Sequence, residues 1–130
     1  MKIRYYAAAI AVIASLGNSA AIASAPGCYT YSGQGYCQYT GRASQVYVNS
    51  NGEIILYFDT PMAASAPASV GITGVSVLNA ALYRLSDNPD YAKLLYASLL
   101  SAQVRGATIQ VQLWGVIGGY MKLDRVWVYE

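Results

Sequence analysis

Apolar and polar residues alternate along most of this chain, and the alternation changes period once. From Ala43 to Asn49, Val46 and Val48 alternate with Gln45 and Tyr47; Asn51-Gly52 then marks a hairpin turn. Glu53 to Asp59 returns with Ile54, Leu56 and Phe58 on one face and Ile55 and Tyr57 on the other. A strand apolar on both faces belongs in the interior of a sheet. Val70 to Leu78 resumes an extended pattern, with Gly71 and Gly74 reading as bulges or sharp bends. Between them, Thr60 to Ser69 is Ala, Ser and Pro without a period and reads as a surface loop. Asn79 to Leu85 fits either a strand end or a helical turn.

The period then lengthens to that of a helix. Asn88 is a capping residue, Pro89 suits the first helical position, Asp90 favours the positive end of the dipole, and Gly106 is a stop. Tyr91, Leu94, Leu95, Leu99 and Ala102 form the expected buried stripe, widened by Tyr96, Leu100 and Val104. Period two returns in Thr108 to Trp114, with Ile109, Val111 and Leu113 inward and Gln110, Gln112 and Trp114 outward. Gly115 to Gly119 turns the chain into Tyr120 to Tyr129. There Met121 and Leu123 are out of phase with Val126 and Val128, so a bulge is expected near Asp124-Arg125. The pattern predicts a mainly β fold: a five-stranded OB-fold-like barrel with one α-helix between the third and fourth strands.

Two segments before this pattern change the picture. Met1 to Ala25 has the layout of a signal peptide: Lys2 and Arg4, an apolar run from Ala7 to Leu16, and small residues suited to cleavage after Ala23 or Ala25. The run is shorter than the about 20 residues a membrane span needs. Residues 26–130 then form a single domain, exported to the periplasm or beyond, with no membrane attachment once the leader is removed. Pro26 to Gly41 is rich in Gly and Tyr and reads as a short strand or ordered loop, pinned by a Cys28–Cys37 disulfide. For so short a loop, chain entropy makes the bridge worth about 2–3 kcal/mol. A rival reading makes Cys28 the lipidated first residue of a lipoprotein, but Ala25-Pro26-Gly27 is a poor lipobox and Cys37 would be left unpaired.

Without the leader, Arg42, Arg84, Lys93, Arg105, Lys122 and Arg125 balance Glu53, Asp59, Asp87, Asp90, Asp124 and Glu130. No positive groove is expected, which argues against nucleic acid as a partner. The chain has no histidine. That removes the usual general base and zinc ligand, so no catalytic residue, metal or cofactor is expected. A pair of carboxylates could still serve glycoside hydrolysis. However, Asp87 and Asp90 sit at a helix start, and Asp124 beside Arg125 reads as a surface ion pair or bulge position.

Aromatic residues are the better lead. Tyr and Trp next to amides on a solvated sheet face stack on a sugar ring while the amides bond its hydroxyls. Gln110, Gln112 and Trp114 make such a row, with Trp127 and Tyr129 on the neighbouring strand. For these rings packing or a subunit interface, where aromatics are also enriched, is the first reading and a ligand platform the second. For the tyrosines around the cysteines, Tyr29, Tyr31, Tyr36 and Tyr39, edge-strand packing is the first reading and ligand contact the second.

Three stretches taken together carry a family resemblance: Tyr91 to Ala102 running to Gly106 and into Ile109-Gln110-Val111, Arg125-Val126-Trp127-Val128-Tyr129, and the Asn51-Gly52-Glu53-Ile54 hairpin. They resemble small exported bacterial proteins similar to the B subunits of A-B toxins, such as the subtilase cytotoxin B subunit. The resemblance implies an OB barrel, assembly as a homo-oligomer and recognition of a surface glycan or protein partner. Such proteins often carry cysteines before the helix and after the strand that follows it. Thr60 to Ser69 and Gly115 to Gly119 have none, and no sugar-contacting residue matches one for one.

Overall fold

A computed structural model describes residues 24–130. The expected leader therefore lies outside the described residues, apart from Ser24 and Ala25. The chain runs β1 (Gly27–Tyr31), β2 (Gln34–Arg42), β3 (Gln45–Val48), β4 (Glu53–Tyr57), α1 (Ser65–Ser69), β5 (Ala80–Arg84), α2 (Pro89–Arg105), β6 (Thr108–Ile117) and β7 (Tyr120–Tyr129). The strands form one sheet in the order β1-β2-β6-β7-β5-β4-β3. All neighbours are antiparallel except β5 and β7.

The mainly β expectation holds, but the element count does not. Among the described residues, seven strands stand where five were expected and two helices where one was, and α2 follows the fifth strand rather than the third. The first reason lies in Pro26 to Gly41, which folds as a full hairpin. Its turn residues Ser32 (φ 49°) and Gly33 (φ 78°) both take positive φ, as a two-residue type I′ turn requires. Serine is a poor resident of that region. Ser32→Asn is expected to stabilise the fold by roughly 0.5 kcal/mol, read as a rise of a few degrees in thermal midpoint.

The second reason is Val70 to Leu78, which has no regular structure. Gly71 (φ 77°) and Gly74 (φ 83°) are both left-handed, and the segment pairs with no strand. The Ser76 and Val77 N–H groups instead donate to the Gly119 carbonyl at 2.9 and 3.0 Å, anchoring the segment to the β6–β7 turn. Thr60 to Ser69 contains α1, whose Pro67 is buried. Past α1, Val70 presses on β2 so closely that a Cβ at Gly35 would lie 2.3 Å from its carbonyl oxygen. Asn79 to Leu85 resolves into β5.

The core forms where the alternation says it should. Ile54, Leu56, Ile109, Val111, Leu113, Met121 and Leu123 are all buried, with Leu95 and Leu99 of α2 packed among them. The helix ends match their signals: the Asn88 side chain accepts from the Tyr91 N–H, and Gly106 is left-handed at φ 63°. On its flank, however, Leu94 is 68% exposed, and Tyr96, Leu100 and Val104 are exposed too. The apolar stripe is therefore narrower than expected. The bulge appears in its expected place: Gln112 pairs with Arg125 but Leu113 with Leu123, so Asp124 is the extra residue.

Between β2 and β3 only Ala43 and Ser44 intervene, and the chain bends there. The buried Tyr39 hydroxyl donates to the Arg42 carbonyl and accepts from the Asp59 N–H, each at 3.2 Å. Ser44 donates to the Asp59 carboxylate, which also accepts from the Arg42 N–H at 3.4 Å. Partial burial pushes the Asp59 pKa up, but the hydrogen bonds from Ser44, Tyr39 and Arg42 outweigh it and hold the carboxyl below its ordinary value.

Candidate functional site

The outward faces of β1, β2, β6 and β7 make one surface. Its rows follow from register, because residues paired across neighbouring strands point to the same side. Tyr29 pairs with Tyr36, Gln38 with Gln112 and Gln112 with Arg125; next come Thr40, Gln110 and Trp127, and then Arg42, Thr108 and Tyr129. Beneath them, the alternate positions Cys37, Tyr39, Val111 and Leu113 are buried. The amide and aromatic side chains therefore sit on a firm apolar floor.

All five residues proposed from the alternation, Gln110, Gln112, Trp114, Trp127 and Tyr129, lie on this surface, but they are not equivalent. Tyr36 stacks on Trp114 from the β2 side, with centroids 4.7 Å apart and planes 10° from parallel. From the β7 side, the Arg125 Cζ lies 5.9 Å from the Trp114 ring centroid. The indole Nε1 donates to the Gln112 Oε1 at 3.3 Å, and the Gln112 Nε2 donates to the Gln38 Oε1 at 3.4 Å. Trp114 is thus engaged on its ring faces and at its N–H by its own chain. Trp127 and Tyr129 are the more open rings, 38% and 45% exposed, and the Tyr129 hydroxyl donates to the Gln110 Oε1 at 3.4 Å.

Sequence reasoning missed Gln38 and Arg125 and gave Tyr36 no part in this row. The run Gln34-Gly35-Tyr36-Cys37-Gln38-Tyr39-Thr40 does alternate, but the cysteine pair and the glycines drew the reading towards a pinned loop. The four tyrosines nearby have separate places. Tyr39 is wholly buried, Tyr36 joins the row, and Tyr29 and Tyr31 stand 52% and 69% exposed on the edge strand β1. The Cys28–Cys37 disulfide is formed between directly paired residues of β1 and β2.

Tyr31, Tyr36, Gln112, Trp114 and Arg125 line a depression of about 180 Å³. A larger groove of about 320 Å³ runs between α2 and β7 and meets the surface at Trp127; Leu94, Leu95, Ser98 and Val126 are among its walls. The surface can offer ring faces and amide hydrogen bonds to a ligand. Its carboxylate, Asp124, is paired with Arg125 at 3.0 Å, and Asp87 is paired with Lys122 at 3.5 Å. No group of three His, Cys, Asp or Glu residues among those described is arranged to hold a metal ion. No protein-family model, curated protein or solved structure matches this chain.

Proposed function

We propose that this chain is an exported, non-catalytic binding protein that recognises a surface glycan through the open end of the β6–β7 face. The observation that carries the reading is Trp127 and Tyr129 standing half-open beside Gln110, on a surface where Arg125 is paired with Asp124. A sugar ring stacks on such faces, and the amide bonds its hydroxyls. Export is supported by the leader pattern and by the Cys28–Cys37 disulfide, which belongs to oxidising compartments. No helix among the described residues is long and apolar enough to cross a membrane.

The finer fold belongs to the same proposal. Because β2 and β3 are separated by two residues, they act as one bent strand that pairs with β6 at one end and β4 at the other. Counted so, with β1 as a hairpin extension, the seven segments reduce to a five-stranded OB-like barrel. The parallel β5–β7 contact supports its closure, and α2 falls between its third and fourth strands. This reading supports the resemblance to toxin B-like proteins.

The test is a glycan array probed with the oxidised, leader-less protein, followed by sugar-induced thermal shift. Trp127→Ala is expected to weaken binding about tenfold or more, as loss of a stacking anchor does, without lowering the thermal midpoint. A blank array together with no thermal shift would sink the glycan reading. Tyr36, Arg125 and Gln112 already occupy Trp114 within the chain, and that favours a second reading: an envelope structural protein or partner-binding module whose aromatic face is an interface. Then Trp127→Ala lowers the mass of the assembly instead.

A further inference from the structure

The best-defined opening outside the aromatic face lies between α2 and the far end of β7. Strand β5 pairs with β7 only at Met121 and Lys122, so β7 from Asp124 to Tyr129 has no neighbouring strand on that side. The ladders fix which backbone groups point there. The two-residue hairpin makes Tyr31 and Gln34 a hydrogen-bonded pair. Alternation carried through β2 and β6 then makes Gln112–Arg125, Gln110–Trp127 and Thr108–Tyr129 bonded pairs too. The N–H and C=O groups of Asp124, Val126 and Val128 therefore face away from β6, towards α2. Asp124 agrees, since its carbonyl accepts from the Tyr91 hydroxyl. Among the described residues, no hydrogen bond reaches Val126 or Val128 from that side.

The helix runs alongside this edge and is fastened to it at both ends. Tyr91 holds Asp124, and Arg105 is paired with Glu130 at 3.0 Å. Tyr91 to Arg105 spans about 21 Å of helix, and Asp124 to Glu130 about 20 Å of extended chain. Helix and strand therefore run side by side in the same direction. The groove of about 320 Å³ opens between them, with Leu94 and Ser98 on the helix wall, Val126 opposite and the buried Leu95 at its base.

We infer that this edge takes an extended peptide of a partner protein as an added strand, with α2 as the opposite wall. The open backbone groups select the occupant. A purely apolar group would cover them and leave them unbonded, which is unfavourable. An extended backbone offers a donor and an acceptor at every second residue, the spacing at which Val126 and Val128 present theirs. Peptide residues opposite those valines point to the same side as the valine side chains, into the groove, so they are apolar. The residue between them points outward, beside Trp127. The ion pairs at the two ends of the groove, Arg125–Asp124 and Arg105–Glu130, are each closed and call for no net charge on the peptide. The occupant is therefore a neutral segment with apolar residues at alternate positions.

The experiment pans a display library of linear peptides against the oxidised, leader-less protein, then resynthesises an enriched peptide with single N-methyl amides. Enriched peptides are expected to share the alternating apolar pattern. N-methylation of the alternate amides that face β7 should weaken binding about tenfold, and methylation of the intervening amides should not. Hydrogen exchange at the Val126 and Val128 amides should slow when the peptide is bound. Val128→Pro deletes one outward donor without touching the β6 ladder, a position where an edge strand accepts proline, and should weaken binding by a similar factor. The methylated peptides need no variant, so they decide the matter even where Val128→Pro does not fold. Failure to enrich alternating peptides overturns the inference, as does binding indifferent to which amides are methylated. So does slow exchange at Val126 and Val128 before any peptide is added, the result expected where a second copy already covers the edge. The glycan proposal is read separately, since a blank glycan array leaves each of these outcomes unchanged.

Discussion

Leu99→Ala is expected to cost about 3 kcal/mol of folding stability, whereas Leu94→Ala, five residues earlier on the same helix, should cost well under 1 kcal/mol. Leu99 has no exposed surface and packs into the main core with Leu95, Ile109 and Leu113. Removing its isobutyl group forfeits transfer free energy and leaves a cavity that the surrounding strands close only in part. Leu94 is 68% exposed at the rim of the α2–β7 groove, so truncation there removes little buried area. Chemical denaturation of the two variants in parallel checks the contrast. Equal losses would mean that α2 is rotated about its axis from the position described here.

That pair of leucines also shows what was legible in the sequence. Helical period marks which residues lie within a broad stripe, and Leu94, Leu95 and Leu99 all satisfy it. How wide the buried part becomes depends on what the sheet presents opposite. Here the helix packs on β7, β6 and β3, and Gln103 donates to the Ser44 carbonyl at 3.0 Å, while Leu94, Tyr96, Leu100 and Val104 are left exposed. The cap, the stop and the bulge at Asp124 were readable because each is a local chemical requirement: an N–H to satisfy, a left-handed residue, a phase break in alternation. Strand count was less readable. Val70 to Leu78 has strand composition, but its first N–H groups bond carbonyls of α1 and those of Ser76 and Val77 bond the Gly119 carbonyl, the latter a tertiary fact no local pattern carries. For the candidate site, alternation on β6 and β7 put Gln110, Gln112, Trp114, Trp127 and Tyr129 on one outward face. The contribution of β2 depends on its pairing with β6, which brings Tyr36 onto Trp114 from 78 residues away in the chain.

Raising the pH from 10 to 12 should destabilise the fold, and Tyr39→Phe should remove a defined part of that loss. Burial pushes the Tyr39 pKa up to about 12; the backbone bond from Asp59 opposes this, while the Asp59 charge reinforces it. An unfolded tyrosine titrates near 10. The stability tied to the neutral phenol is therefore complete below pH 10 and lost as pH climbs towards 12. Within that window the native state holds one proton more than the unfolded chain, so stability falls by about 1.4 kcal/mol per pH unit for this residue. Over the window the loss comes to about 3 kcal/mol. Tyr91, whose hydroxyl donates to the Asp124 carbonyl, is also raised to about 12, by burial first and then by the Asp124 charge. Its contribution persists in the Tyr39→Phe protein. That variant starts less stable at pH 8, because the Asp59 N–H and the Arg42 carbonyl at the β2–β3 bend lose their shared partner. Yet its stability should decline less steeply above pH 10 than the wild type's. Denaturant midpoints at pH 8, 10 and 11.5 separate the two effects. If the two proteins lose stability in parallel across that range, Tyr39 is not the buried phenol holding the bend.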